Sequence, residues 1–130
     1  MDRQVLMEAP GVYKSTGYSQ AIKVGNMVFV AGVVGADEKG NIAKGDPEAQ
    51  AHQLWKNIQG ILKAAGADIE DLVQITTYIT KAEYGPKILG VRRQYWKRDP
   101  QPTATLVVCS GLASPDYLIE ANGIAVIGKK

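Results

Sequence analysis

Few side chains in this sequence can do chemistry. There is one histidine, His52, and one cysteine, Cys109. Together they cannot build a His/Cys zinc site, which takes about four ligands. A Ser/Cys–His catalytic pair would have to use His52, which sits inside a predicted helix. No phosphate loop, paired-carboxylate motif or nucleophile elbow is present. Glu120 is the carboxylate in the most suggestive setting. It lies two residues before Asn122 in an apolar run, so in a strand both side chains share a face. Apolar neighbours raise a carboxylate's pKa and suit it to act as a base. The alternative is a structural Glu120, paired at an interface or exposed. The only basic cluster is Arg92, Arg93, Lys97 and Arg98, flanked by Glu83 and Asp99. Cys109 ends an apolar run and reads as an inert small hydrophobe. Trp55 and Trp96 fall on helices and read as packing.

These residues need elements to carry them. A short strand over 21–24 meets a Gly25-Asn26 turn and a strand over 27–34, a hairpin pattern. Asp46 then caps a helix whose first residue is Pro47. Leu54, Ile58, Ile61, Leu62 and Ala65 keep helical spacing, and Gly66 ends the helix. A strand spans 72–80 and a second helix 84–96, with Tyr84, Ile88, Val91 and Tyr95 as its stripe. Pro86 falls in its first turn, where a missing N–H costs little. Strands over 103–109 and 118–127 close the chain. The order ββαβαββ predicts an α+β fold, with two helices on one face of a single sheet. MVFV, TLVVC and GIAVI are apolar at nearly every position. A sheet with one wet face would alternate, so a second copy of the chain is expected to cover the other face.

Composition sets the outer limits. The 130 residues make one domain, residues 1–130, with 45% hydrophobic and 22% charged residues. A net charge of +2 argues against nucleic acid or an anionic membrane as main partner. The N-terminus has no long apolar stretch, so no signal peptide is expected, and no run is long enough for a membrane span. A single cysteine excludes an internal disulfide and predicts a reducing, cytoplasmic compartment.

Tyr18-Ser19-Gln20-Ala21, then Val24-Gly25-Asn26-Met27-Val28-Phe29-Val30-Ala31-Gly32, resembles the opening of the RidA/YjgF family of reactive intermediate deaminases. The resemblance continues through Gln50, Asn57, Ile61 to Gly66, Thr76-Thr77-Tyr78-Ile79 and Pro102. It closes with Ile119-Glu120-Ala121-Asn122-Gly123-Ile124-Ala125, so it spans residues 9–127. It implies a chorismate-mutase-like fold with a mixed sheet, and a homotrimer whose sheets form a central barrel. It further implies ligand clefts between subunits, and hydrolysis of imines or enamines to keto acids and ammonia without metal or cofactor.

The resemblance also implies site residues. Tyr18 matches the family's cleft tyrosine, and Gly32 the glycine whose backbone meets the ligand. The family arginine that clamps the substrate carboxylate sits in a Pro-Ala-Arg-Ser motif; here Pro102-Thr103-Ala104-Thr105 puts Ala104 in its place. The family's helix asparagine aligns with Ile88, and its cleft carboxylate with Asn122, which can position water but cannot take its proton. The chain thus resembles an arginine-less branch. Arg92, one turn after Ile88, is the candidate replacement cation, and Thr105 offers a hydroxyl beside the lost arginine. The expected site is Arg92 and Glu120 as catalytic groups, with Tyr18, Gly32, Thr105 and Asn122 binding substrate. The expected reaction is hydrolytic deamination of a small imine or enamine, an aminomuconate-like acid being one substrate the resemblance permits. The alternative is a trimer that binds a metabolite or acts as a chaperone without turnover. An older family label, endoribonuclease, fits poorly with the near-neutral charge.

Overall fold

The computed structural model describes residues 2–97 and 99–128, so Arg98 of the basic cluster lies outside the described residues. The strands are β1 (Arg3–Leu6), β2 (Ala21–Val24), β3 (Met27–Val34), β4 (Leu72–Ile79), β5 (Thr103–Val108) and β6 (Ile119–Val126). They form one mixed sheet in the order β1-β2-β3-β6-β4-β5. Only β4 and β5 pair in parallel, which requires a crossover between them. Helix α2 (Gly85–Tyr95) supplies it, and α1 (Pro47–Ala64) joins β3 to β4. Strand β1 was not expected from the sequence. Its residues Arg3, Gln4 and Val5 are exposed, β2 is its one strand partner and Leu6 alone of its side chains packs against the core, so no hydrophobic periodicity marks it.

The local chemistry of the hairpin and of α1 matches the sequence. Gly25 opens the two-residue hairpin turn with φ +59°, a conformation glycine adopts freely. Asp46 accepts a hydrogen bond from the Ala49 N–H at 3.0 Å, with Pro47 at the helix start. Gly66 leaves the helix at φ +82°, and the Ala67 N–H reaches back to the Leu62 carbonyl at 2.8 Å. Leu54, Trp55, Ile58, Ile61 and Leu62 point from α1 onto Val28, Val33, Ile75, Ile119 and Ala121 to make the core. Each such side chain contributes about 1.5–3 kcal/mol when fully buried.

Helix α2 leans on α1 more than on the sheet. Trp96 at its end meets Trp55 edge-on at 5.1 Å, and Tyr95 donates to the His52 carbonyl at 3.2 Å. Only Ile88 and Val91 of α2 are buried. Edge strand β5 therefore runs out from under the helix layer. Leu106 and Val108 are each 53% exposed, and Cys109 is half-buried rather than in a sealed core. In β6 the buried residues Ile119, Ala121, Gly123 and Ala125 alternate with half-buried Glu120, Asn122, Ile124 and Val126. The register places Phe29 beside Ile22 and Ile124, and Met27 beside Val24 and Val126. The face away from the helices thus carries an apolar band with Phe29 42% exposed.

Candidate functional site

Five of the six expected site residues fall into two clefts. The first lies on the helix side, between α2 and β5, with a volume of about 600 Å³. Ile88, Leu89 and Arg92 of α2 form one wall; Ala104, Thr105 and Leu106 of β5 form the other; Trp55 of α1 lies at the join. Arg92 and Ile88 share this cleft because they sit one turn apart on α2. Arg92 is half-buried, and its Nε has no acceptor among the described residues. Burial, and then neighbouring Arg93, hold its pKa below the usual arginine value. No carboxylate pairs with it among the described residues.

The second cleft, of about 390 Å³, is lined by Tyr13, Tyr18, Gly32, Val34, Ala113, Tyr117 and Glu120. Three features of the chain assemble it. The β3–β6 register shifts between Val30 and Val33, and such a bulge re-aims the residues within it. Gly32 sits there against Glu120: a Cβ on it would stand 2.5 Å from Oε2. Tyr13 Oη accepts the Val34 N–H at 2.9 Å, and its carbonyl accepts from Gln20 Nε2 at 2.7 Å, which holds the segment carrying Tyr18. Gln50, fully buried on α1, donates to the Asp116 carbonyl and accepts the Leu118 N–H, each at 2.9 Å. That braces the loop bearing Tyr117 and leading into Glu120.

The electrostatics follow from burial. Glu120 is half-buried with no hydrogen bond or ion pair among the described residues, and desolvation pushes its pKa up. Tyr13 is pushed up to about 12, burial outweighing the bond from Val34. Tyr18 is raised by burial, then by the charge on Glu120. Both phenols keep their protons at neutral pH and can donate.

Glu120, Tyr18 and Gly32 thus meet in one cleft, and Arg92 and Thr105 in the other. Asn122 lines neither; it pairs with Thr76 in mid-sheet. Tyr13 and Tyr117 were not expected from the sequence, because they sit in irregular segments and show only as aromatics near other site residues. His52 contacts Tyr95 at 3.3 Å, while the Cys109 thiol donates to the Ile79 carbonyl at 3.5 Å, so they do not form a nucleophilic pair. No group of three His, Cys, Asp or Glu able to hold a metal comes together among the described residues. No helix of the described residues is long and apolar enough to cross a membrane.

A mixed sheet with both helices on one face, a glycine bulge against a strand carboxylate and a cleft under the second helix define a class of small α+β protein. Residues 8–127 match the family model described as Endoribonuclease L-PSP, and the chain belongs to that family, which includes RutC- and RidA-type proteins. It is 41% identical to a RutC family protein of Pyrococcus abyssi, over 83% of this chain and 84% of that one. It is 29% identical to the 2-iminobutanoate/2-iminopropanoate deaminase of Dermatophagoides farinae, over 85% of each chain. The crystal structure of RidA from an Antarctic Psychrobacter superposes with a TM-score of 0.87 at 29% identity, covering 95% of this chain and 99% of that one.

Proposed function

We propose that this protein is a hydrolytic deaminase of a small imine or enamine, working in clefts completed between copies of the chain in a homotrimer. The observation that carries the reading is the meeting of Glu120 with Tyr18 and Gly32 in one cleft. It is supported by likeness to a protein named as an imine deaminase. In the reaction, water adds through oxygen to the C=N carbon while the nitrogen takes a proton. The resulting carbinolamine then loses its hydroxyl proton, forms C=O and expels ammonia. Glu120, its pKa raised by burial, takes the proton from water and returns it to the departing nitrogen. Arg92 pairs with the substrate's negative charge, and Tyr18, Thr105 and the Gly32 backbone hold the substrate. The water needs only positioning, because such compounds already hydrolyse in solution.

A second reading, a metabolite-binding or chaperone-like trimer without turnover, draws on one observation. Ala104 and Ile88 make apolar walls where the resemblance expects an arginine and an asparagine. One experiment separates the two. Iminobutanoate and aminoacrylate are generated in situ and their loss is followed with the wild type, Arg92→Ala and Glu120→Gln. Acceleration that falls in both variants supports the deaminase. No acceleration over buffer leaves the binder.

A further inference from the structure

Past the bulge, side chains serve the backbone of β3 where a strand no longer does. β2 ends at Ala21, opposite Val30. At Val34 the carbonyl accepts from Asn57 Nδ2 at 3.0 Å, and the N–H donates to Tyr13 Oη at 2.9 Å. The backbone of Tyr13 is held too, its carbonyl accepting from buried Gln20 at 2.7 Å. Phenylalanine would fill the same space; the hydroxyl is what meets Val34. A backbone N–H can only donate, so it occupies a lone pair of Tyr13 Oη and leaves the Tyr13 proton to be given elsewhere. Accepting one hydrogen bond also strengthens the oxygen as a donor in the next. Glu120 does not take that proton, since burial alone shifts its pKa. Tyr18 lies with Tyr13 and Gly32 on the wall of the cleft, and again on a small recess beside it. A hydrogen bond from the Tyr13 side chain favours the ionised form of Tyr18, against burial and the charge on Glu120.

We infer that Tyr13 is a positioning residue: it carries a hydrogen-bond chain from the Val34 N–H through its own hydroxyl to Tyr18 Oη, and so turns the Tyr18 O–H outward, to donate to an acceptor on the substrate. Without an inner donor, Tyr18 could turn its proton inward and offer the cleft a lone pair instead. Tyr18 is 45% exposed, so its outward proton is within reach of a ligand. What Tyr18 donates to rests on the deaminase reading; the chain behind it does not.

The test is a double-mutant cycle in the imine assay, read per folded molecule, together with the alkaline titration of Tyr18 by carbon NMR of labelled tyrosine rings. Tyr13→Phe keeps the ring and removes the hydroxyl. It is expected to lower kcat about tenfold, the worth of one hydrogen bond, with KM little changed. Tyr18→Phe should do at least as much. The double variant should be no slower than Tyr18→Phe, because Tyr13 acts through Tyr18; a residue that only packs would show additive losses. In Tyr13→Phe the Tyr18 phenol should also titrate at higher pH, since the bond that favours its ionised form is gone. Full kcat in Tyr18→Phe, a double variant about tenfold slower than Tyr18→Phe, or an unmoved Tyr18 titration would each overturn the inference. The first of these needs no Tyr13 variant and decides the matter even if Tyr13→Phe fails to fold. If the wild type turns over no imine, the deaminase reading fails by itself, and the Tyr18 titration still decides the hydrogen-bond chain. If it turns over imines and Tyr13→Phe keeps full kcat, this inference fails by itself.

Discussion

Gly32 and Glu120 approach so closely that the glycine admits no side chain without moving the carboxyl: its Cβ would stand 2.5 Å from Oε2 and 3.0 Å from Cδ. Gly32 lies in the β3–β6 register shift and needs no left-handed backbone. Its smallness therefore serves the approach of the carboxyl, not a turn. Gly32→Ala is expected to swing Glu120 aside while the flexible end of that side chain absorbs the clash. Deaminase rate should fall on the order of 100-fold, the cost of about 1 Å of misplacement, with Tm changed by less than about 3 °C. A large loss of Tm with full activity per folded molecule would count against this placement.

Glu120 also sets a pH dependence. Its folded pKa is raised by desolvation, so between its unfolded and folded values the native state holds the proton more tightly. Stability is then greatest below the ordinary carboxylate range, falls as pH climbs through the raised folded value, and is flat above it. Glu120→Gln should remove that slope. At neutral pH it should be the more stable protein, by less than about 1 kcal/mol because the half-exposed group is screened. Urea titrations between about pH 4 and pH 8 would show it; a wild-type stability that rises over that window would contradict it.

Gln50 is a brace and not a catalyst. It is fully buried, and it also donates to the Ala43 carbonyl at 2.9 Å. Gln50→Ala strips partners from two carbonyls and the Leu118 N–H, at a cost of about 2–4 kcal/mol, or roughly 10 °C in Tm. Calorimetry with the deaminase assay on the remaining folded protein checks this. An unchanged Tm would mean that the loop before β6 is held by something else.

The apolar band on the second sheet face predicts self-association. Phe29 and Met27, 42% and 37% exposed in the single chain, should be covered in an oligomer. Wild type is expected to sediment as an oligomer, and Phe29→Glu as a single chain that has lost activity, because its two half-sites no longer face a neighbour. Sedimentation of the wild type as a single chain would remove the assembled cleft.

Much of the fold was legible because its signals are local. The Asp46-Pro47 start and Gly66 stop of α1, the Gly25-Asn26 turn and the helical stripes are each contained within a few residues. Strand β1 was not legible, since an exposed edge strand has no buried face to leave a period. The TLVVC run suggested two buried faces. In the single chain it is an exposed edge strand, because α2 leans on α1 and leaves β5 uncovered.

The same division holds at the site. By itself the sequence determined which groups were available: one strand glutamate among apolar neighbours, one arginine a turn after Ile88, and Ala104 where the resemblance expects an arginine. It could not determine which of them meet. Tertiary structure alone brought Glu120 to Gly32 across a strand register, set Tyr13 and Tyr117 around them, and left Asn122 out. Such meetings depend on register shifts and helix tilt, which arise from contacts between residues far apart in the chain and leave no mark in any short stretch of it.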